Sequence, residues 1–120
     1  MDWITDLGIM PVDHGAMGSI HWAVCPHPDL VARNGYIHLP AGHPWLTDDR
    51  AAAAACPRDV TFGGHHWLGF DTRHINDRWP SDAPTPWDGE KHTWSVDEVI
   101  RCTKHWAEAA WLASQQVKEA

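Results

Sequence analysis

The densest run of side chains able to do chemistry is Gly69-Phe70-Asp71-Thr72-Arg73-His74-Ile75-Asn76-Asp77-Arg78. Asp71, His74 and Asp77 recur every three residues, so a helical turn or two there puts two carboxylates and an imidazole on one side. Such a trio suits holding a divalent metal such as zinc, or exchanging protons with a bound water. With His43 added, the metal version is a hydrolase in which the metal activates water. The same residue types have plainer uses, since an Asp at a strand end caps the next turn and a nearby His satisfies a backbone carbonyl. Neither HExxH nor Cys-x-x-Cys is present, and His65 and His66, as neighbours in a strand, would face opposite sides.

Arginine placement says more. Four of the six arginines, Arg50, Arg58, Arg73 and Arg78, fall within residues 50–80, whereas the first lysine is Lys91. Guanidinium forks bind phosphate oxygens in pairs, and a flat indole stacks on a base. Arg58, Arg73 and His74 beside Trp67 or Trp79 therefore predict capture of a small anionic, nucleotide-like ligand, without catalysis or cofactor. Asp71 would orient the guanidinium groups or accept a ligand hydroxyl. The competing expectation is that Arg58, Arg73 and Arg78 pair with Asp59, Asp71 and Asp77 as surface salt bridges. Nucleophilic catalysis has little support, because there is no Gly-x-Ser-x-Gly turn and Cys25, near His21 and His27, reads as a small core residue.

The whole chain bounds these readings. Its 120 residues carry a net charge of −7 and are 43% apolar, the balance of a single globular domain over 1–120. Net acidity argues against generic DNA or RNA binding, which relies on many cations. No apolar run approaches the ~20 residues of a membrane span, and the N-terminus lacks a signal-peptide pattern. These features predict a soluble, cytoplasmic protein with no membrane partner. Three cysteines at wide spacings predict reduced thiols rather than disulfides. Nine tryptophans serve as core or, where exposed, as anchors of a protein–protein inhibitor. Self-association is left open. Ten histidines bring the net charge through zero around pH 6 if they titrate near ~6.5, so solubility should fall there; a flat solubility curve would mean that many are buried or paired.

The elements that must position the cluster follow from pattern. Apolar residues from Met1 to Val12 are irregular, and Asp13 to Gly18 reads as turn. Ser19 to Cys25 and Gly35 to Pro40 read as strands, the second with Tyr36 and His38 on one face and Ile37 and Leu39 on the other. Thr47 should cap a brief helix through the alanine run, stopped by Pro57. Asp59 to Phe62 and His65 to Asp71 read as a hairpin turning at Gly63-Gly64. Asp77 to Thr93 reads as an irregular loop pinned by Trp79 and Trp87, or shaping a site. Ser95-Val96-Asp97-Glu98 is a capping box that opens a helix with apolar positions Val99, Cys102, Trp106, Ala110, Ala113 and Val117. The fold class is α+β, a small mainly antiparallel sheet packed against one long C-terminal helix.

Gly35-Tyr36-Ile37, Gly42-His43-Pro44, Thr61-Phe62, Gly69-Phe70-Asp71, His74 and Asp77 together form a pattern. It resembles a group of small proteins of actinobacterial phages and their hosts, which show Gly-Tyr-(Val/Ile), Gly-His-Pro, His-Gly-Gly-Leu-Thr-(Phe/Tyr) and Trp-Trp-x-Gly-Phe-Asp-x-Ala-His-x-x-Asp in this order. The resemblance runs from about Gly35 to Asp77. Where the group has His-Gly-Gly, this chain has Pro57-Arg58-Asp59, so any role of that histidine does not carry over. The phage setting implies an accessory or anti-defence protein of the bacterial host's cytoplasm that sequesters a nucleotide signal such as a cyclic nucleotide or an ADP-ribose-type molecule; matched Thr61, Asp71 and His74 would then join Arg58, Trp67, Arg73 and Trp79, read from the residues alone, at the ligand.

Overall fold

Alternation of apolar residues over Ile20-His21-Trp22-Ala23-Val24-Cys25 sends Ile20, Trp22 and Val24 to one face of a strand, and all three are buried. The computed structural model, which describes Gly8, residues 10–64 and residues 66–119, with side chains through 116, builds an antiparallel sheet around that strand. Strands β1 (Asp13–Met17), β2 (Ile20–Pro26), β3 (Arg33–His38), β4 (Phe62–Gly64) and β5 (Trp67–Phe70) lie in the order β1-β2-β3-β5-β4. Between β3 and β4 runs the short helix α1 (Asp49–Ala55), and the chain closes with the long helix α2 (Val96–Glu119). The expected α+β architecture is present. None of the described helices is long and apolar enough to cross a membrane.

Helix α2 lies on one face of the sheet, across β2 and β3. Its buried positions Val99, Thr103, Trp106, Ala107 and Ala110 recur at three- and four-residue steps and meet Ile20, Trp22, Val24, Ile37 and Phe70. On the opposite face a smaller cluster joins Ala23, Cys25 and Trp67, with Tyr36 at its edge. Thus the tryptophans are largely core: Trp22, Trp45, Trp67, Trp79, Trp94 and Trp106 are all buried, and only Trp87 among the described tryptophans is strongly exposed.

Several local expectations change. Asp13 to Met17 is not a turn but the edge strand β1; it is mostly exposed, so it lacks the apolar alternation that marks a half-buried strand. Its two-residue turn to β2 is Gly18-Ser19, with Gly18 at φ 57°. The second hairpin turns two residues later than expected: Gly63 and Gly64 pair with Leu68 and Trp67, and the left-handed residue is His66, at φ 66°. This register sets Phe62 opposite Gly69 while Leu68 and Phe70 face the helix, and that burial outweighs the glycine preference for turns. Asp48, not Thr47, caps α1, accepting the Ala51 N–H at 3.1 Å. The segment expected to be irregular holds a short parallel pair, β6 (Asp77–Arg78) with β7 (His92–Thr93). Trp79 pins it by burial, whereas Trp87 points out. At the start of α2, Ser95 Oγ accepts the Glu98 N–H at 3.2 Å, but the Glu98 carboxylate turns to His92 Nε2 at 2.8 Å instead of closing the capping box. Expectations for Met1 to Leu7, His65 and the Val117 side chain lie outside the described residues.

Candidate functional site

Beyond β5 the chain turns sharply enough to bring Asp71, His74 and Asp77 together. His74 Nε2 lies 3.0 Å from Asp71 Oδ1, and Nδ1 lies 3.3 Å from Asp77 Oδ2. The two ends differ. Asp71 is partly exposed, whereas the Asp77 carboxylate is fully buried. Burial alone would raise the Asp77 carboxyl, but it accepts Trp94 Nε1–H at 2.8 Å, the His74 N–H at 3.0 Å and the Arg58 guanidinium, and together they hold it below the ordinary carboxylate range. An imidazole locked between two acids, one of them anchored to an arginine, is a structural tie rather than a free base.

The other arginines are equally committed. Arg73 Nε donates to Asp29 Oδ2 at 2.7 Å, and its two terminal nitrogens hold both oxygens of Asp82, at 2.5 and 2.8 Å. Arg73 is the main reason the Asp82 carboxyl sits low, at about 2. Arg78 Nε lies 3.6 Å from Asp88. Arg58, Arg73 and Arg78 are therefore ion-paired as the competing expectation had it, but with partners more distant than their sequence neighbours. Trp67 is wholly buried, and Trp79 is 3% exposed with its indole N–H on Thr72 Oγ1 at 3.2 Å. Neither ring offers a face for stacking. A polar hollow of about 360 Å³ is lined by Arg58 and His74, while Thr61 and Asp71 line a separate cleft of about 280 Å³.

His43 does not join this group. Its Nδ1 accepts the Trp45 N–H at 3.0 Å and its Nε2 lies 2.7 Å from the Ala110 carbonyl, which fixes the proton on Nε2. Ala110 sits roughly 20 Å along α2 from the end that carries Trp94, at ~1.5 Å per residue. Among the described residues no group of three His, Cys, Asp or Glu is arranged to hold a metal ion. The four residues of the hydrolase reading do not converge.

Two features escaped the sequence reading. The first is a groove of about 490 Å³ along α2, lined by Met17, Pro57 and Cys102 together with Arg101, Lys104, His105 and Glu108. Arg101, Lys104 and His105 share a helix face at i, i+3 and i+4, a signal that the sequence carries but that reads equally as an ordinary solvated stripe. Lys104 Nζ also sits 5.9 Å from the Trp22 ring centre. The second is Asn34, a buried amide in the cleft that Thr61 and Asp71 share.

Comparison with protein-family models, with curated proteins and with solved structures finds no match to this chain.

Proposed function

We propose that the chain captures a small anionic ligand, without acting chemically on it, in the groove along α2. The observation that carries this reading is the distribution of neutralised charge. Arg58, Arg73 and Arg78 each hold a carboxylate, whereas Arg101 and Lys104 have no ion pair among the described residues and line one cavity together. Both stand on a helix clamped by Trp106 and Ala110, so their backbone positions are fixed before any ligand arrives. The apolar lining residues Met17, Pro57 and Cys102 suit an apolar or planar body, and Glu108 in the same lining accepts a hydroxyl. Binding without chemistry is favoured because the Cys102 thiol is pushed above its ordinary value, first by burial and then by Glu98, and so stays protonated. A nucleotide-like anion thus remains the ligand class, although its phosphate lies away from Arg58, Arg73 and the buried Trp67 and Trp79.

Thermal unfolding with ADP-ribose and a cyclic dinucleotide as probes, and adenosine as the uncharged control, tests this. A phosphate-bearing probe at 100 times its dissociation constant should stabilise the fold by about 2.7 kcal/mol. The double variant Arg101→Ala, Lys104→Ala should lower affinity by about a hundredfold, as expected for two charge-assisted bonds, and flatten the salt dependence. Equal binding of adenosine, or a double variant that binds as well as the parent, overturns the reading.

A further inference from the structure

We infer that the cleft between β3, β4 and β5 is a second ligand site, built for an organic ammonium group that meets Asn34 and Asp71. This is independent of the α2 groove. It lies on the sheet face away from the helix and calls for the opposite charge.

The cleft is shaped by a missing side chain. Tyr36 and Gly69 are cross-strand partners, and a Cβ on Gly69 would stand 2.5 Å from the Tyr36 ring. Without it the ring lies over the Gly69 backbone and meets Phe62 edge to face, with centres 5.6 Å apart. The result is an aromatic wall beside a polar floor. Asn34 lies in that floor, 8% exposed, and its Oδ1 is buried with no hydrogen-bond partner among the described residues. Buried acceptors left open are exceptional in folded proteins, and this one lines a cavity of about 280 Å³. It asks for an N–H or O–H donor.

Asp71 sets the charge of that donor. Its Oδ1 is engaged by His74 Nε2 at 3.0 Å and the Arg73 N–H at 3.4 Å, leaving Oδ2 without a partner among the described residues. Among the described residues no arginine or lysine lines the cleft; His27 does, with its Nδ1 accepting the Asp29 N–H at 3.1 Å, and the nearby Arg73 guanidinium is spent on Asp29 and Asp82. Burial raises the Tyr36 hydroxyl, a hydrogen bond from the Asn34 side chain lowers it, and Cys25 and then Asp71 add to the rise, so the Asn34 amide group is engaged by Tyr36 while its Oδ1 stays open. A carboxylate, an open amide oxygen and two aromatic rings match a protonated amine, whose three donors satisfy the oxygens while its charge lies near the ring faces. An anion would be repelled by Asp71, and a neutral alcohol would leave the carboxylate and ring faces unused.

Nuclear magnetic resonance titration of the full chain with benzylamine, benzyl alcohol and benzoate tests the assignment. Benzylamine should give saturable shifts at the Asn34 side-chain amide and at Phe62, with benzyl alcohol about tenfold weaker and benzoate without effect. Asp71→Asn should bring the amine's affinity down to that of the alcohol, and Asn34→Leu should remove binding altogether. Should Asn34→Leu not fold, the partly exposed Asp71 keeps the test decisive. The proposal is overturned by an alcohol that binds as tightly as the amine, by an Asp71→Asn variant with parental affinity, by shifts confined to Arg101 and Lys104, or by no amine binding up to about 10 mM.

Discussion

Gly35→Ala is expected to destabilise the protein by about 3 kcal/mol or more and to lower its melting temperature by roughly 10 °C. The added Cβ would stand 2.2 Å from Thr103 Oγ1 and 2.5 Å from the Phe70 ring, far inside contact distance. Neither neighbour has room to withdraw. Thr103 is wholly buried and its hydroxyl donates to the Val99 carbonyl at 2.7 Å, while Phe70 is held edge to face against Trp106 with centres 5.9 Å apart. Relief therefore requires lifting α2 from β3, which opens the main core. Gly64→Ala is the control, since nothing lies within 4 Å of its Cβ, and its effect should stay within about 0.5 kcal/mol. Thermal unfolding followed by circular dichroism separates the two. Equal losses would show that the helix does not press on β3 as closely as these distances require.

The same position illustrates what the sequence makes legible. Gly35-Tyr36-Ile37 alternates in a way that announces a strand and separates Ile37, under the helix, from Tyr36, on the far face. The long helix is legible for a similar reason, because Val99, Trp106 and Ala110 of its periodic apolar stripe are buried and Cys102 and Ala113 pack at the edge, although Thr103 and Ala107 join them in the core. Edge strand β1 is not, since an exposed strand leaves no alternation to read. The hairpin is legible in kind but not in register: two glycines advertise a turn, and only the burial of Leu68 and Phe70 under the helix, with Phe62 set beside Tyr36, pairs those glycines and leaves the left-handed turn position to His66.

For the site the division is sharper. Asp71, His74 and Asp77 are neighbours in sequence, so spacing alone predicts their meeting. What neutralises the arginines is not local. Arg58 finds Asp77 19 residues away, and Arg73 finds Asp29 44 residues away. A cluster of guanidinium groups in the sequence therefore looks like an anion site until those partners are known. Burial is equally hidden, since nothing in the letters around Trp67 and Trp79 distinguishes an indole that stacks on a ligand from one that fills a core.

Asp77→Asn should cost about 3 kcal/mol at neutral pH, because one buried carboxylate joins three parts of the chain. It opens β6, takes the indole N–H of Trp94 just before α2, and neutralises Arg58 from the segment after α1. An amide of the same size has one acceptor oxygen where the carboxylate has two, so its NH₂ must face the Trp94 or His74 donors or the Arg58 guanidinium. The effect should depend on pH in a defined direction. Asp77 and Asp82 have folded values below the ~3.9 of an unfolded aspartate, so their contribution is complete above about pH 5. It is lost as the pH falls through 4 towards the folded value, which for Asp82 is about 2. Urea unfolding of the parent should therefore show a falling midpoint between about pH 4 and pH 2, and Asp77→Asn a shallower fall from a lower start. A variant as stable as the parent at pH 7, with an unchanged acid limb, would mean that Arg58, Trp94 and His74 are held by packing alone. In that case the Asp71–His74–Asp77 chain would be free to exchange protons, and the hollow lined by Arg58 and His74 would return as a place for chemistry.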